Sequence, residues 1–232
     1  YDDGHLHCFG CGYQEQPKKD PHPPRIQPMA PPKTPLLDFL TIKPLDKRGI
    51  TAETCKLFNY GYSQHQGVTV QVAEYRDSKG NKVAQHLRYP DKKFRWLGDT
   101  SNMQLWGQHL WRQGHGGGSG LFVVVTEGEI DCMSVSQAQG NKFPVVSLPN
   151  GAQSAKKYLA ANAAWLSQFS RIVLCFDSDE PGRQAANDAL AVLPLGKVAI
   201  FSTCYVNYNE PGIGHDLLKI LDHNEVPYVI VE

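Results

Sequence analysis

Leu121-Phe122-Val123-Val124-Val125-Thr126-Glu127-Gly128-Glu129-Ile130-Asp131 is a short apolar, β-branched run that stops at a string of carboxylates. A second run of the same kind, Arg171-Ile172-Val173-Leu174-Cys175-Phe176, stops at Asp177-Ser178-Asp179. Continuous apolar runs of this length are expected of strands buried on both faces, as in parallel sheets. In an open parallel sheet the carboxyl ends of the strands share one edge, where ligands collect. Glu127, Asp177 and Asp179 are therefore expected to converge there. Carboxylates so gathered repel one another, and a divalent cation, Mg²⁺ or Mn²⁺, would relieve the repulsion.

The pattern continues on both sides of these two runs. Strands are predicted at 121–125, 144–148, 171–176 and 197–202, with helices at 131–139, 153–168 and 182–193. Strand–helix alternation builds right-handed βαβ units on a parallel sheet, so residues 121–232 are expected to form an α/β domain. Gly114–Gly120 before it is glycine-rich and has no strand on its amino side, which suits a domain boundary rather than a phosphate loop. Pro149-Asn150-Gly151 follows the second strand on the acidic edge and reads first as a tight turn.

Residues 36–113 have a mixed α+β character. Helical spacing is read at 36–40 and again over 51–58, with Thr51 as N-cap. Val68–Asp77 alternates, turns at Ser78-Lys79-Gly80-Asn81 and returns through Lys82–Tyr89, which predicts a hairpin. Beyond it Arg88, Lys92 and Arg95 are interleaved with Tyr89, Phe94 and Trp96. Such a run can hold phosphates and stack bases, or it can be a solvated rim with its aromatics in the core.

Residues 1–16 contain Cys8-Phe9-Gly10-Cys11, which suits half of a zinc ribbon; a tetrahedral site needs four ligands, and the other pair is expected before Tyr1. Residues 17–35 are dense in proline and read as a linker. The remaining cysteines, Cys55, Cys132, Cys175 and Cys204, read as small buried hydrophobes. With 23 basic and 23 acidic residues in 232, net charge argues neither for nor against a nucleic-acid partner. No run of about 18 apolar residues occurs, so no transmembrane helix is expected, and no Gly-X-X-X-X-Gly-Lys-Ser/Thr loop is present.

The two acidic motifs, with Gly182 after the second, resemble a TOPRIM domain, the core shared by topoisomerases and primases. Cys8–Cys11, Arg48-Gly49-Ile50-Thr51, Tyr75-Arg76-Asp77, Leu105-Trp106-Gly107 and Val145–Leu148 narrow the resemblance to the primase half of short-tailed-phage primase–helicases. Mitochondrial helicases are relatives of that lineage. The resemblance implies a DNA primase that makes short RNA primers on single-stranded DNA by Mg-dependent nucleotidyl transfer. Glu127, Asp131, Asp177 and Asp179 would form its catalytic metal cluster, with Arg88, Lys92, Arg95 and His86 on nucleotide and DNA. The family carries a lysine where this chain has His86, and a further aspartate where it has Asn207 or, past an insertion, Asp216. It also implies nucleoside triphosphates, a template, a helicase and a replicative polymerase as partners, in the cytoplasm of an infected bacterium or, for the relatives, an organelle. The alternatives are a non-catalytic DNA-binding module of a helicase, a metal-dependent nuclease, or carboxylates that merely cap helices.

Overall fold

The computed structural model describes residues 6–7, 10–11, 14–15, 34–111, 122–194, 196–202 and 229–230. Cys8, most of the linker, the glycine-rich 114–120 segment, Asn207 and Asp216 lie outside the described residues. The chain divides into two compact units, Tyr1–Pro32 and Lys33–Glu232. In the first, β1 (Leu6–His7) and β2 (Gln14–Glu15) pair antiparallel, and Cys11 is an exposed free thiol.

The second unit contains two sheets. One has four antiparallel strands in sequential order: β3 (Tyr60–His65), β4 (Val68–Arg76), β5 (Lys82–Arg88) and β6 (Phe94–Gly98). The hairpin expected at 68–89 is its centre. The outer strands β3 and β6 carry mixed burial and weak alternation, which is why sequence patterning passed over them. The other sheet has the order β11–β10–β9–β7–β8, built from β7 (Phe122–Thr126), β8 (Val145–Ser147), β9 (Arg171–Phe176), β10 (Val198–Ser202) and β11 (Val229–Ile230). The first four of these run parallel, and β11 adds an antiparallel edge.

Two helix readings are corrected. Residues 36–40 form no helix; Leu36, Leu37 and Leu40 instead lie over Val70, Val72, Leu87 and Leu97 on one face of the antiparallel sheet. Gln85 fixes this cover, accepting from the Leu37 N–H at 2.7 Å and donating to the Leu37 carbonyl at 3.0 Å. Apolar residues placed to cover a sheet mimic a helical stripe when the run is this short. The helix expected at 153–168 is broken into α3 (Ala155–Ala161) and α4 (Ala163–Leu166) at Asn162. The Asn162 amide donates to the Tyr158 carbonyl at 2.8 Å, the kind of side-chain competition that ends helices.

The opposite face of the antiparallel sheet shares one core with the parallel sheet. That core includes Tyr60, Ala73, Tyr75 and Ala84 from the first sheet and Val123–Val125, Ile172 and Leu174 from the second. Trp106 joins the two, exchanging both backbone hydrogen bonds with Ser147 at 3.0 Å and stacking on Phe58 at 4.9 Å. Helix α1 (Ala52–Leu57) begins as expected, with Thr51 accepting from the Thr54 N–H. Gln137 of α2 (Glu129–Ala138) then holds the turn before α1, accepting from Thr51 N–H and donating to the Gly49 carbonyl, both at 2.7 Å. Arg48, just before this turn, lines one cleft with Glu129, Ile130 and Asp131 of the first turn of α2.

Candidate active site

Strands β7 and β9 are direct neighbours, with Thr126 opposite Cys175. Their carboxyl ends therefore deliver Glu127 and Asp177 side by side, and the Asp177 N–H donates to Glu127 Oε1 at 3.0 Å. Asp179 is the N-cap of α5 (Glu180–Leu190), accepting from the Gly182 N–H at 2.9 Å. Asp131 stands in the first turn of α2, within the field of Asp177.

The electrostatics show how strongly these groups interact. Burial, reinforced by the charges of Asp177, Asp179 and Asp131, pushes the Glu127 carboxyl up to about 7, against the opposing hydrogen bond from Asp177. Burial and the charges of Asp177 and Glu129 push Asp131 up to about 6, while Arg48 and Arg88 pull it down. The buried Cys175 thiol is pushed up to about 12, first by desolvation and then by the same carboxylates. An all-oxygen donor set that resists full ionisation suits a hard divalent cation. Among the described residues no three His, Cys, Asp or Glu side chains cage an ion unaided. A magnesium site does not require that, because one or two carboxylates with waters and substrate phosphates suffice. If Mg²⁺ binds there it must displace the proton that Glu127 retains, so its affinity should rise with pH and level off above about 7. Calorimetric titration of Mg²⁺ should show roughly tenfold weaker binding per pH unit on the acid side. A pH-independent affinity between pH 6 and 8 would contradict the assignment.

A cleft of about 250 Å³ opens beside the acids, lined by Arg48, Arg88, His86, Phe94, Glu129 and Asp131 among others. His86 Nδ1 donates to Glu129 Oε1 at 2.6 Å, and the Tyr75 hydroxyl donates to the same oxygen at 2.7 Å. Burial raises the Glu129 carboxyl, but the hydrogen bond and charge of His86, with the Tyr75 hydroxyl, outweigh it and hold Glu129 below its ordinary value. His86 thus occupies the place where the resemblance implies a lysine, and is tied to the acidic strand end through Glu129.

A larger cleft of about 580 Å³ adjoins it, sharing Arg48, Arg88 and Ile130 and adding Lys43, Lys47, Lys92, Tyr62 and Tyr89. Arg88 lines both clefts and Lys92, left-handed in the turn after β5, lines the larger one. Arg95 lines neither. The β5–β6 register pairs Arg95 with Leu87 and Phe94 with Arg88, which puts Arg95 on the sheet face away from the acids. Sequence reading gave no role to Lys43, Lys47, Arg48 or Glu129. The available signal was the basic turn Asp46-Lys47-Arg48-Gly49 just before an N-cap, which carries Arg48 into both clefts.

Comparison with known proteins places this geometry in context. Residues 41–98 match the family model for the bacteriophage T7 DNA helicase/primase N-terminal a+b fold, and residues 124–211 match the Toprim-like model. The chain is 38% identical over 240 residues to the DNA helicase/primase of Enterobacteria phage T3, covering 99% of this chain and 41% of that protein. It therefore spans about two fifths of that curated relative's length. The crystal structure of the primase fragment of the bacteriophage T7 primase–helicase is similar, with a TM-score of 0.72 and 37% identity over 94% of this chain and 90% of the other. Also similar is a T7 primase domain solved with the T7 lagging-strand DNA polymerase, an RNA/DNA hybrid and dTTP. Its TM-score is 0.67, with 43% identity over 78% of this chain and 89% of that one.

Proposed function

The chain belongs to the family of the primase region of phage helicase/primases, and from that premise we propose that it synthesises short RNA primers on single-stranded DNA. The observation that carries this reading is the meeting of Glu127 and Asp177, from neighbouring parallel strands, beside a cleft lined by Arg48 and Arg88. Asp131 and Glu129 share that cleft with the two cations, a mixture that matches the two demands of nucleotidyl transfer. One is to lower the charge barrier at the α-phosphate, and the other is to hold the remaining phosphates still.

Glu127, Asp177 and Asp179, with Asp131 behind them, would hold Mg²⁺. Bound there, divalent cations would supply charge stabilisation to the attacking 3′-hydroxyl and the leaving pyrophosphate. Glu127, at the end of β7 beside Asp177, would position the attacking hydroxyl or accept its proton. Arg48 and Arg88 would hold phosphate oxygens, and Lys43, Lys47 and Lys92 would follow the template or triphosphate along the larger cleft. The Cys8–Cys11 knuckle would bind Zn²⁺ with a further Cys pair and read the template's start sequence. Helicase and replicative polymerase are the partners this family reading brings, and the infected cell's cytoplasm its place of action. Among the described residues no helix is long and apolar enough to cross a membrane.

The direct test supplies the chain with single-stranded DNA, Mg²⁺ and labelled ribonucleotides. Labelled oligonucleotides support primase action; cleaved template would instead indicate a nuclease, and binding alone an accessory module. Arg88→Ala should weaken template or triphosphate binding and lower the salt slope by about one counterion if Arg88 holds a phosphate. An unchanged slope would remove Arg88 from that role.

A further inference from the structure

Three rings form one column on the face of the antiparallel sheet that looks toward the acids. His86 lies parallel to Trp96, with centroids 4.3 Å apart and planes 12° apart, and parallel to Phe94 at 5.0 Å and 21°. Two of the three are held from the side. His86 is bonded to Glu129 at 2.6 Å, Trp96 donates its indole N–H to Asn150, and Tyr75 packs edge-on against Trp96 at 4.8 Å. The outer member is not covered in the same way. Phe94 is 54% exposed, where aromatic side chains are normally buried, and it lines the cleft that contains Glu129 and Asp131. The guanidinium of Arg88 stands over the same ring, 5.8 Å from its centre.

We propose that Phe94 is a stacking platform for a nucleobase, backed by His86 and Trp96, in the cleft beside the acidic cluster. A base stacking on Phe94 takes the place that Arg88 now holds over the ring, as Arg88 turns to the phosphate of the same nucleotide. The two backing rings are already fixed by lateral hydrogen bonds, so ordering them adds little to the cost of binding. Asn150 therefore has a use beyond turning the chain: it holds Trp96 at the foot of the column. The identity of the ligand rests on the nucleotidyl-transfer reading above. The base can come from an incoming nucleoside triphosphate or from the template, and the experiment separates the two.

The probes are 2-aminopurine ribonucleoside triphosphate and a single-stranded oligodeoxynucleotide containing one 2-aminopurine, whose fluorescence falls on stacking. The wild-type chain should quench at least one of them, and the one quenched identifies the source of the base. Phe94→Ala should abolish that quenching and raise KM or Kd for the same ligand about tenfold. Phe94→Trp should retain both properties. Phe39→Ala, which removes another exposed aromatic outside the clefts, should change neither. Quenching by Phe94→Ala equal to wild type, or no quenching by wild type with either probe, overturns the platform. Quenching does not depend on turnover, so failed oligonucleotide synthesis with intact quenching would sink the polymerase reading alone.

Discussion

Glu127→Gln should lower oligonucleotide synthesis by about 10²–10⁴-fold while the chain remains folded, because on the proposed mechanism it removes a proton acceptor and a metal-binding charge. Glutamine preserves the shape and keeps an oxygen to accept the Asp177 N–H, now bonded at 3.0 Å. What disappears is the carboxylate, held at about 7 by burial and three neighbouring acids. The same shift supplies a control on folding. A carboxyl raised from 4.5 to about 7 binds its proton more tightly in the folded state than in the unfolded one. Between those values the folded chain holds the extra proton, so Glu127 makes stability fall as pH rises through the window, and the penalty is complete above about 7. The glutamine variant lacks that penalty. Without Mg²⁺ it should melt at or above the wild-type temperature at pH 8, with the difference shrinking toward pH 5. A variant inactive yet no less stable at pH 8 places the loss in chemistry; undiminished synthesis would take Glu127 out of the reaction.

The central architecture was legible because its physical signals are local. Buried parallel strands are continuous apolar runs, and Glu127, Asp177 and Asp179 follow them at once, so strand direction alone brought Glu127 and Asp177 together. The hairpin of β4 and β5 announced itself by alternation and a four-residue turn. What remained hidden depends on pairing partners far away in sequence. Arg95 and Phe94 are adjacent residues in one basic-aromatic run, and only the register with β5 shows that they face opposite sides of the sheet. Arg48 lines the cleft from just before a turn that Gln137, distant in sequence, clasps. Glu129 looked like one more acid of the motif until His86 and Tyr75 were found sharing its oxygen. Leu36–Leu40 misled for the complementary reason, since its apolar residues answer to a sheet surface rather than to a helical period.

Gly182→Ala should damage both stability and synthesis. On propensity alone the change ought to help, since alanine is favoured over glycine in a helix by about 1 kcal/mol. The geometry forbids it. A Cβ at 182 would lie 2.0 Å from the Asp177 carbonyl oxygen, 2.8 Å from its carbon and 2.8 Å from Glu127 Oε1. The obstacle at 2.0 Å is backbone, which cannot swing aside as a side-chain tip can, so α5 and the end of β9 must move apart by about 1.5 Å to reach ordinary contact. That displacement breaks the cap from Asp179 to the Gly182 N–H and shifts the Asp177 peptide that orients Glu127. Overpacking of this kind costs about 1–3 kcal/mol, and a 1 Å misplacement of reacting groups costs about 10²-fold in rate. Gly182→Ala should therefore melt several degrees below wild type and lose about two orders of magnitude in synthesis, with both losses arising from one displaced helix. An alanine variant as stable as wild type, or more so, would mean that the helix start tolerates a methyl group and that the acids do not depend on this close approach.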